Sequence, residues 1–138
     1  MRLAVDSSSL AKRYIHEAGS EQLAQFLQQA TELGLCVIVV PEILSALNRR
    51  VREGILCLRE YGQVKTQLLR DVRDVTILQI TPGVAARTVG LLEENALRAM
   101  DALHLACALE WQADLFLSSD KRQVEAARKS GLPTTYLG

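Results

Sequence analysis

The stretch RLAVDSSSLAKRY, residues 2–14, places an acidic residue directly after a short apolar run. Residues 2–5 have the composition of a buried strand, and the hydroxyl-rich segment after Asp6 is typical of the start of a helix. In open α/β sheets, ligands gather outside the carboxyl ends of the strands. The stretch therefore predicts that Asp6 lies at a ligand-binding edge of a sheet.

Five short apolar runs rich in β-branched residues occur along the chain, as expected of buried parallel strands. They are RLAV (2–5), LCVIVV (35–40), VTILQI (75–80), LFLS (115–118) and TTYL (134–137). Between these runs apolar residues recur at helical spacing, for example at Leu44, Leu47 and Val51. Strands that alternate with helices predict an α/β fold whose mainly parallel, five-stranded sheet is covered by helices on both faces.

Composition favours one domain over residues 1–138. The chain is 49% hydrophobic, and Lys plus Arg and Asp plus Glu both number 16, which gives a formal net charge of zero. A chain of this length can bury a substantial core, whereas its charge gives no sign of a basic nucleic-acid binder overall. Any electrostatic argument must therefore be local.

The sequence also predicts a soluble, cytoplasmic protein. Its longest apolar run, LCVIVVP, is far shorter than the roughly 20 residues that cross a bilayer, and the first residues do not form a signal peptide. The three cysteines, Cys36, Cys57 and Cys107, lack C-x-x-C spacing and are odd in number. We expect all three to be buried thiols in a reducing compartment.

Three carboxylates follow predicted strands and should lie along one edge of the sheet. Asp6 ends the first run, Glu42 comes shortly after the second, and Asp120 follows the fourth. A fourth acid, Asp101, lies in a predicted helix among apolar residues, where it would need a partner, a proton or a metal ion. Like charges about 4 Å apart repel by roughly 4 kcal/mol at an effective dielectric near 20, so four converging carboxylates would require a cation. All-oxygen ligands favour Mg²⁺ or Mn²⁺ over zinc.

Each of these acids also has a purely structural explanation. Asp6 and Asp120 could be N-caps of the helices that follow them. Glu42 would stabilise a helix N-terminus through the macrodipole, whatever its function. Asp101 could pair with Arg98, one turn earlier. The sequence leaves these alternatives open.

Two further polar residues accompany the acids. Ser118 should face the same way as Asp120, because side chains two residues apart in a strand share a face. Its hydroxyl could orient a water molecule or a carboxylate, or it could bond to nearby backbone. His104 shares a helix with Asp101, but the other histidine, His16, lies in a predicted loop, so no zinc site is completed. We expect His104 to be a packing or interface residue.

Four segments resemble, in order, the PIN-domain nucleases, particularly the VapC-like ribonuclease toxins of prokaryotic toxin–antitoxin pairs. They are AVDSSSLAKRY, VVPEILSALNRR, RAMDALHLACAL and ADLFLSSDKRQVEAARKSGL. The resemblance implies a three-layer α/β/α domain with a central parallel sheet, in which acidic residues bind Mg²⁺ or Mn²⁺ to cleave single-stranded RNA. Asp6, Glu42, Asp101 and Asp120 fall on the family's acidic positions, and Ser118 falls where the family often has threonine or serine. The resemblance also implies a homodimer that is inhibited by a small antitoxin protein.

The predicted reaction is in-line attack on phosphorus by a water molecule that the ion activates. It needs no 2′-hydroxyl and should leave a 5′-phosphate and a 3′-hydroxyl. RNA phosphates need cations, and the candidates are Arg49, Arg50 and Lys12. Arg49, seven residues after Glu42, is expected on nearly the same helix face.

Two other functions remain open at this point. One is a non-catalytic, PIN-like binding module whose acids attract a basic partner segment. The other is an RNA-processing nuclease without a toxin role. A phospho-accepting receiver domain is excluded, because the third strand run, VTILQITPG, lacks an aspartate to be phosphorylated.

Overall fold

The computed structural model describes residues 1–138 and contains one five-stranded sheet. Every strand pair is parallel, so all carboxyl ends lie at the same edge. The strand order is β3-β2-β1-β4-β5. The strands are β1 (Arg2–Val5), β2 (Glu32–Cys36), β3 (Thr76–Leu78), β4 (Leu115–Ser118) and β5 (Thr134–Tyr136). The predicted parallel α/β sheet is confirmed.

Helices cover both faces of the sheet. They are α1 (Ser7–Leu10), α2 (Ser20–Gln29), α3 (Val39–Arg52), α4 (Leu58–Asp71), α5 (Pro82–Glu94), α6 (Ala99–Glu110) and α7 (Lys121–Lys129). One core cluster packs α5, α6 and α7, and a second packs α2, α3 and α4. β1 shows the division, because Ala4 belongs to the first cluster and Leu3 and Val5 to the second. The fold is thus three layers, and none of its helices combines the length and hydrophobicity that a membrane crossing needs.

The second strand lies earlier in the chain than the sequence predicts. A strand at 35–40 was expected, whereas β2 ends at Cys36 and α3 begins at Val39. Val39, Ile43 and Leu47 are all buried in one cluster, so helical spacing overrides the β-branched composition of this run. Glu42 therefore belongs to the first turn of α3 and does not directly follow a strand. Strands three and five have shorter observed bounds than their predicted runs.

The cysteine prediction is right for two residues and wrong for the third. Cys36 and Cys107 are buried, with their Sγ atoms 3.5 Å apart. Cys57 is exposed, because it is the N-cap of α4. Its Sγ accepts the backbone N–H of Glu60, whose carboxylate accepts the N–H of Cys57 in return. This reciprocal capping box explains a surface cysteine without any reactive role.

Gly34 in β2 packs against the ring of Trp111, the only tryptophan. A Cβ atom at residue 34 would lie 2.5 Å from Cζ3 of that ring. We expect Gly34→Ala to lower the free energy of unfolding by about 1–3 kcal/mol, because overpacking displaces neighbouring groups. Urea unfolding followed by Trp111 fluorescence measures the change. In Gly90→Ala, the matched control in α5, the new Cβ meets open space, and stability should rise by about 0.5–1 kcal/mol. Unchanged stability in Gly34→Ala would contradict this packing.

Candidate active site

Three of the four predicted acids line one pocket of about 320 Å³ at the carboxyl edge of the sheet. Asp6 directly follows β1, Glu42 lies in the first turn of α3, and Asp101 lies in the first turn of α6. The other residues that line the pocket are Ser7, Ser8, Ala11, Glu17, Ile43, Ala46, Leu47, Arg50 and His104. The acids are thus drawn together from three separate parts of the chain.

Asp6 is the most deeply buried of these acids, with 3% of its surface exposed. Its Oδ1 accepts the backbone N–H of Ser9 at 2.8 Å, so Asp6 does cap α1. Its Oδ2 accepts the hydroxyl of Ser8 at 2.9 Å and lies 3.2 Å from Ser118 Oγ. A carboxylate oxygen has more than one acceptor site, so capping and metal binding are compatible. These contacts hold the Asp6 carboxylate in one orientation.

Glu42 is held by two donors that meet on the same oxygen. Ser7 Oγ donates to Glu42 Oε1 at 2.6 Å, and His104 Nε2 contacts the same oxygen. Burial alone would raise the pKa of Glu42, but the hydrogen bonds from His104 and Ser7 hold it below its usual value. Burial in turn would lower the pKa of His104, yet the bond and charge of Glu42 raise it above its usual value. Both shifts favour an ion pair.

The position of His104 differs from the sequence prediction. It was expected to be a packing or interface residue, but it lines the pocket beside the acids. Asp101 and His104 are one turn apart on α6, so their side chains lie on the same face of the helix. That spacing was the signal in the sequence that could have placed His104 at the site.

Asp101 is the acid without a compensating partner. It lies in the first turn of α6, nearer the N-terminal end of the helix than the sequence suggested. Arg98, its proposed partner, is the N-cap residue of α6, and neither takes part in any of the ion pairs. Burial raises the pKa of Asp101, and the charges of Asp120, Asp6 and Glu42 raise it further. The charges of the other three acids therefore act on Asp101.

Asp120 lies beside the pocket and does not line it. Its Oδ1 accepts the backbone N–H groups of Arg122, at 2.8 Å, and Gln123, at 3.4 Å. The N-cap explanation for Asp120 is thus observed. Its charge nevertheless raises the pKa of Asp101, so it belongs to the same electrostatic cluster.

Ser118 and Gln123 form a buried polar link beneath the acids, and both are 0% exposed. Ser118 Oγ donates to Gln123 Oε1 at 2.6 Å, and Gln123 Nε2 donates to the backbone oxygen of Asp101 at 2.8 Å. The link ties β4 and α7 to the first turn of α6 and also touches Asp6. Sequence reasoning missed Gln123. Its basic, polar surroundings on α7 gave no signal that it would be buried.

Arg50 is the cation that lines the pocket, and Arg49 is not. Glu42, Ala46 and Arg50 follow one another at four-residue spacing along the pocket side of α3. Each four-residue step advances about 40° around the helix axis. The residues that line the pocket therefore shift progressively around α3, away from the helix face of Glu42. Arg49 is rotated about 20° the other way, and it is exposed to solvent. Of the two predicted arginines, Arg50 therefore lines the pocket and Arg49 lies outside it.

Lys12 occupies a different environment from that predicted. Its side chain is only 8% exposed, and Nζ donates to the backbone oxygen of Ala18 at 2.7 Å. The same ammonium also lies 3.4 Å from Glu17 Oε1. These contacts use the charge of Lys12 to hold the chain after α1, so we do not retain it as an RNA-phosphate candidate.

The arrangement of acids at the carboxyl edge is accompanied by a match to a known family. The model of the PIN domain matches residues 3–129. The chain belongs to the PIN-domain family. Members of this family are nucleases. Comparison with curated protein sequences returns no significant match.

Solved structures with the same fold include components of toxin–antitoxin systems. A toxin–antitoxin complex from Klebsiella pneumoniae aligns with a TM-score of 0.70 and 16% identity, covering 100% of this chain and 98% of that one. VapBC2 from Rickettsia felis, bound to a DNA fragment from its promoter, gives 0.71 and 12%, with 100% of each chain covered. VapC20 from Mycobacterium tuberculosis, a toxin that cleaves the sarcin–ricin loop, gives 0.68 and 18%, with 90% and 94% covered. These similarities establish the PIN fold.

PIN-domain nucleases generally use divalent metal ions, and the donor set here fits a hard ion. The acids offer only oxygen ligands. The other carboxylates repel that of Asp101, and a bound cation would relieve this repulsion. No three Asp, Glu, His or Cys side chains are close enough together in this structure to hold an ion jointly.

Proposed function

We propose that the chain is a divalent-metal-dependent endoribonuclease that hydrolyses phosphodiester bonds of single-stranded RNA. The observation that carries this proposal is the convergence of four acids, three lining one pocket and the fourth within electrostatic reach. Asp6, Glu42, Asp101 and Asp120 would hold Mg²⁺ or Mn²⁺. The whole of residues 1–138 would act as one nuclease domain.

Each element of the pocket has a defined task in this reaction. When bound, the metal supplies Lewis acidity to the attacking water and to the leaving oxygen. Asp6 and Glu42 are held in fixed orientations by hydroxyl and backbone donors, so little reorganisation is needed as charge develops. Ser118 supports Asp6 from beneath. Arg50, two turns along α3 from Glu42, provides a cation for a neighbouring phosphate.

We further propose that the chain is the toxin of a toxin–antitoxin pair and acts in the cytoplasm. Support comes from the solved structures of the same fold, which include toxin–antitoxin complexes and an RNA-loop-cleaving toxin. The partner would be a small antitoxin protein that covers the acidic pocket, and the active form would be a homodimer. Arginine or lysine from such a partner would pair with the carboxylates.

The nuclease function is tested by incubating the purified chain with single-stranded RNA oligonucleotides. Cleavage should require Mg²⁺ or Mn²⁺, stop with EDTA, and leave a 5′-phosphate and a 3′-hydroxyl. A substrate with 2′-deoxyribose at the scissile position should still be cut, because water is the nucleophile. Products that end in a 2′,3′-cyclic phosphate would contradict the mechanism. Absence of cleavage, together with retained partner binding, would favour the non-catalytic binding module.

The toxin role is tested separately, by expressing the chain in bacteria. Growth arrest by the wild type but not by an inactive Asp101→Asn variant would support it. Unimpaired growth, combined with cleavage in vitro, would favour an RNA-processing nuclease.

A further inference from the structure

The first two turns of α6 bring two chemically different groups to the same pocket. Asp101 supplies a carboxylate, and His104 supplies an imidazole that is 4% exposed. The proposed nuclease mechanism above assigns a role to Asp101 but none of its own to His104. The contacts of His104 all lead to Glu42, either directly or through Ser7.

His104 must present an N–H to Glu42. Glu42 Oε1 already accepts the hydroxyl hydrogen of Ser7 and also contacts His104 Nε2, and a carboxylate oxygen can only accept hydrogen bonds. Nε2 therefore carries the hydrogen, and Ser7 Oγ, 2.9 Å away, can accept from it while donating its own hydrogen to Glu42. Three atoms thus form a closed triangle of contacts, namely Glu42 Oε1, Ser7 Oγ and His104 Nε2.

The triangle leaves the other oxygen of Glu42 available. Both donors meet on Oε1, and no hydrogen bond in the structure is made to Oε2. Rotation about the terminal torsion of a glutamate is otherwise soft, with broad preferences. Two donors on one oxygen fix that torsion and keep Oε2 free for a ligand. Donors of this kind behind a ligating carboxylate set its orientation and its basicity.

The second ring nitrogen of His104 shows that packing alone does not explain this residue. Nδ1 is buried and has no hydrogen-bond partner. An unpaired buried polar atom destabilises the fold, and an apolar side chain of similar size would avoid that cost. The polar contacts that His104 does make, to Glu42 and Ser7, are both made by its other ring nitrogen, Nε2.

Resting on the metal-dependent function proposed above, we propose that His104 is a positioning residue that acts through Glu42. It holds Oε1 so that Oε2 is presented to the metal ion. It does not itself contact the metal or the RNA.

The test is the dissociation constant of Mn²⁺, measured by calorimetry on the full chain. His104→Leu fills the same space but cannot donate, and it should weaken binding by about tenfold or more, the range for removing a group that orients a metal ligand. His104→Gln can still donate from an amide nitrogen and should recover most of the affinity. In a Glu42→Ala background, His104→Leu should change the constant by less than about twofold, because the group it positions is gone.

A matched control separates positioning from general destabilisation. Leu105→Ala removes the neighbouring, fully buried side chain on α6, which belongs to the apolar core and not to the pocket. It should lower the melting temperature and leave Mn²⁺ affinity unchanged in the folded protein. Wild-type affinity in His104→Leu, or equal weakening in the Glu42→Ala background, would overturn the positioning role alone. Absence of Mn²⁺ binding by the wild type would instead overturn the metal-dependent function, and the positioning role with it.

Discussion

Replacing Asp101 by asparagine should lower the rate of metal-dependent RNA cleavage by at least about 10²-fold, the loss typical of removing one preorganised electrostatic group. Asparagine keeps the shape of the side chain and removes its charge. The carboxylate of Asp101 has no cationic partner to lose, so the substitution leaves the ion pairs of the chain intact. The backbone oxygen that accepts from Gln123 is unaffected. The loss is therefore expected in the chemical step and not in folding.

Single-turnover cleavage of a labelled RNA oligonucleotide measures this loss. The matched control is Asp114→Asn, which removes the same charge at the opposite edge of the sheet. Asp114 precedes β4 and accepts the backbone N–H of Arg2 at the start of β1, so it lies at the amino ends of the strands. Its rate should stay within about twofold of the wild type. Full activity in Asp101→Asn would remove Asp101 from the catalytic site and weaken the whole cluster argument.

The sequence predicted the sheet well because parallel strands buried on both faces leave a strong local signal. Runs such as LFLS are short and apolar, and the end of this run fixes the position of Asp120, which follows it. The strand predicted at 35–40 was wrong at its end, because the β-branched residues Val39 and Val40 lie in helix α3. Val39 is packed with Ile43 and Leu47, and tertiary burial of this kind overrides local preference.

The acids could be located from the sequence, but their partners could not. Asp6 and Asp120 are placed by the strands that precede them, whereas Glu42 meets His104 across 62 residues of chain and His104 meets Ser7 across 97. Contacts at such separations depend on how α3 and α6 pack on the sheet. The sequence contains the spacing of Asp101 and His104, yet nothing local indicates that Glu42 lies opposite them.

The same limit applies to the cations. A period of 3.6 residues says which side chains share a helix face, but it does not say how far that face turns relative to a pocket. Arg49 satisfied the period, and Arg50 lines the pocket. The buried link through Gln123 was hidden for a related reason, because a glutamine in a basic, polar helix segment reads as a surface residue.

Mn²⁺ should raise the thermal stability of the wild-type chain, by about 2.7 kcal/mol at a free concentration one hundred times its dissociation constant. Asp101→Asn, which lacks a central ligand, should gain far less at the same concentration. With Mn²⁺ the wild type should therefore be the more stable of the two proteins, and without metal Asp101→Asn should be the more stable. At neutral pH, Asp101→Asn should exceed the wild type by roughly 0.5 kcal/mol, a modest gain because the half-open pocket screens the repulsion.

The pH dependence of that reversal follows from the raised pKa of Asp101. Burial and the neighbouring carboxylates make the folded state hold the Asp101 proton more tightly than the unfolded chain does. Below the unfolded pKa, near 4, both states are protonated and the carboxylate costs nothing; as pH rises through the folded pKa, its ionisation destabilises the fold. The advantage of Asp101→Asn should therefore be full at neutral pH and disappear toward pH 4. Melting temperatures measured in EDTA across this range decide the point, and an advantage that grew as the pH fell would show that Asp101 is not repelled by its neighbours.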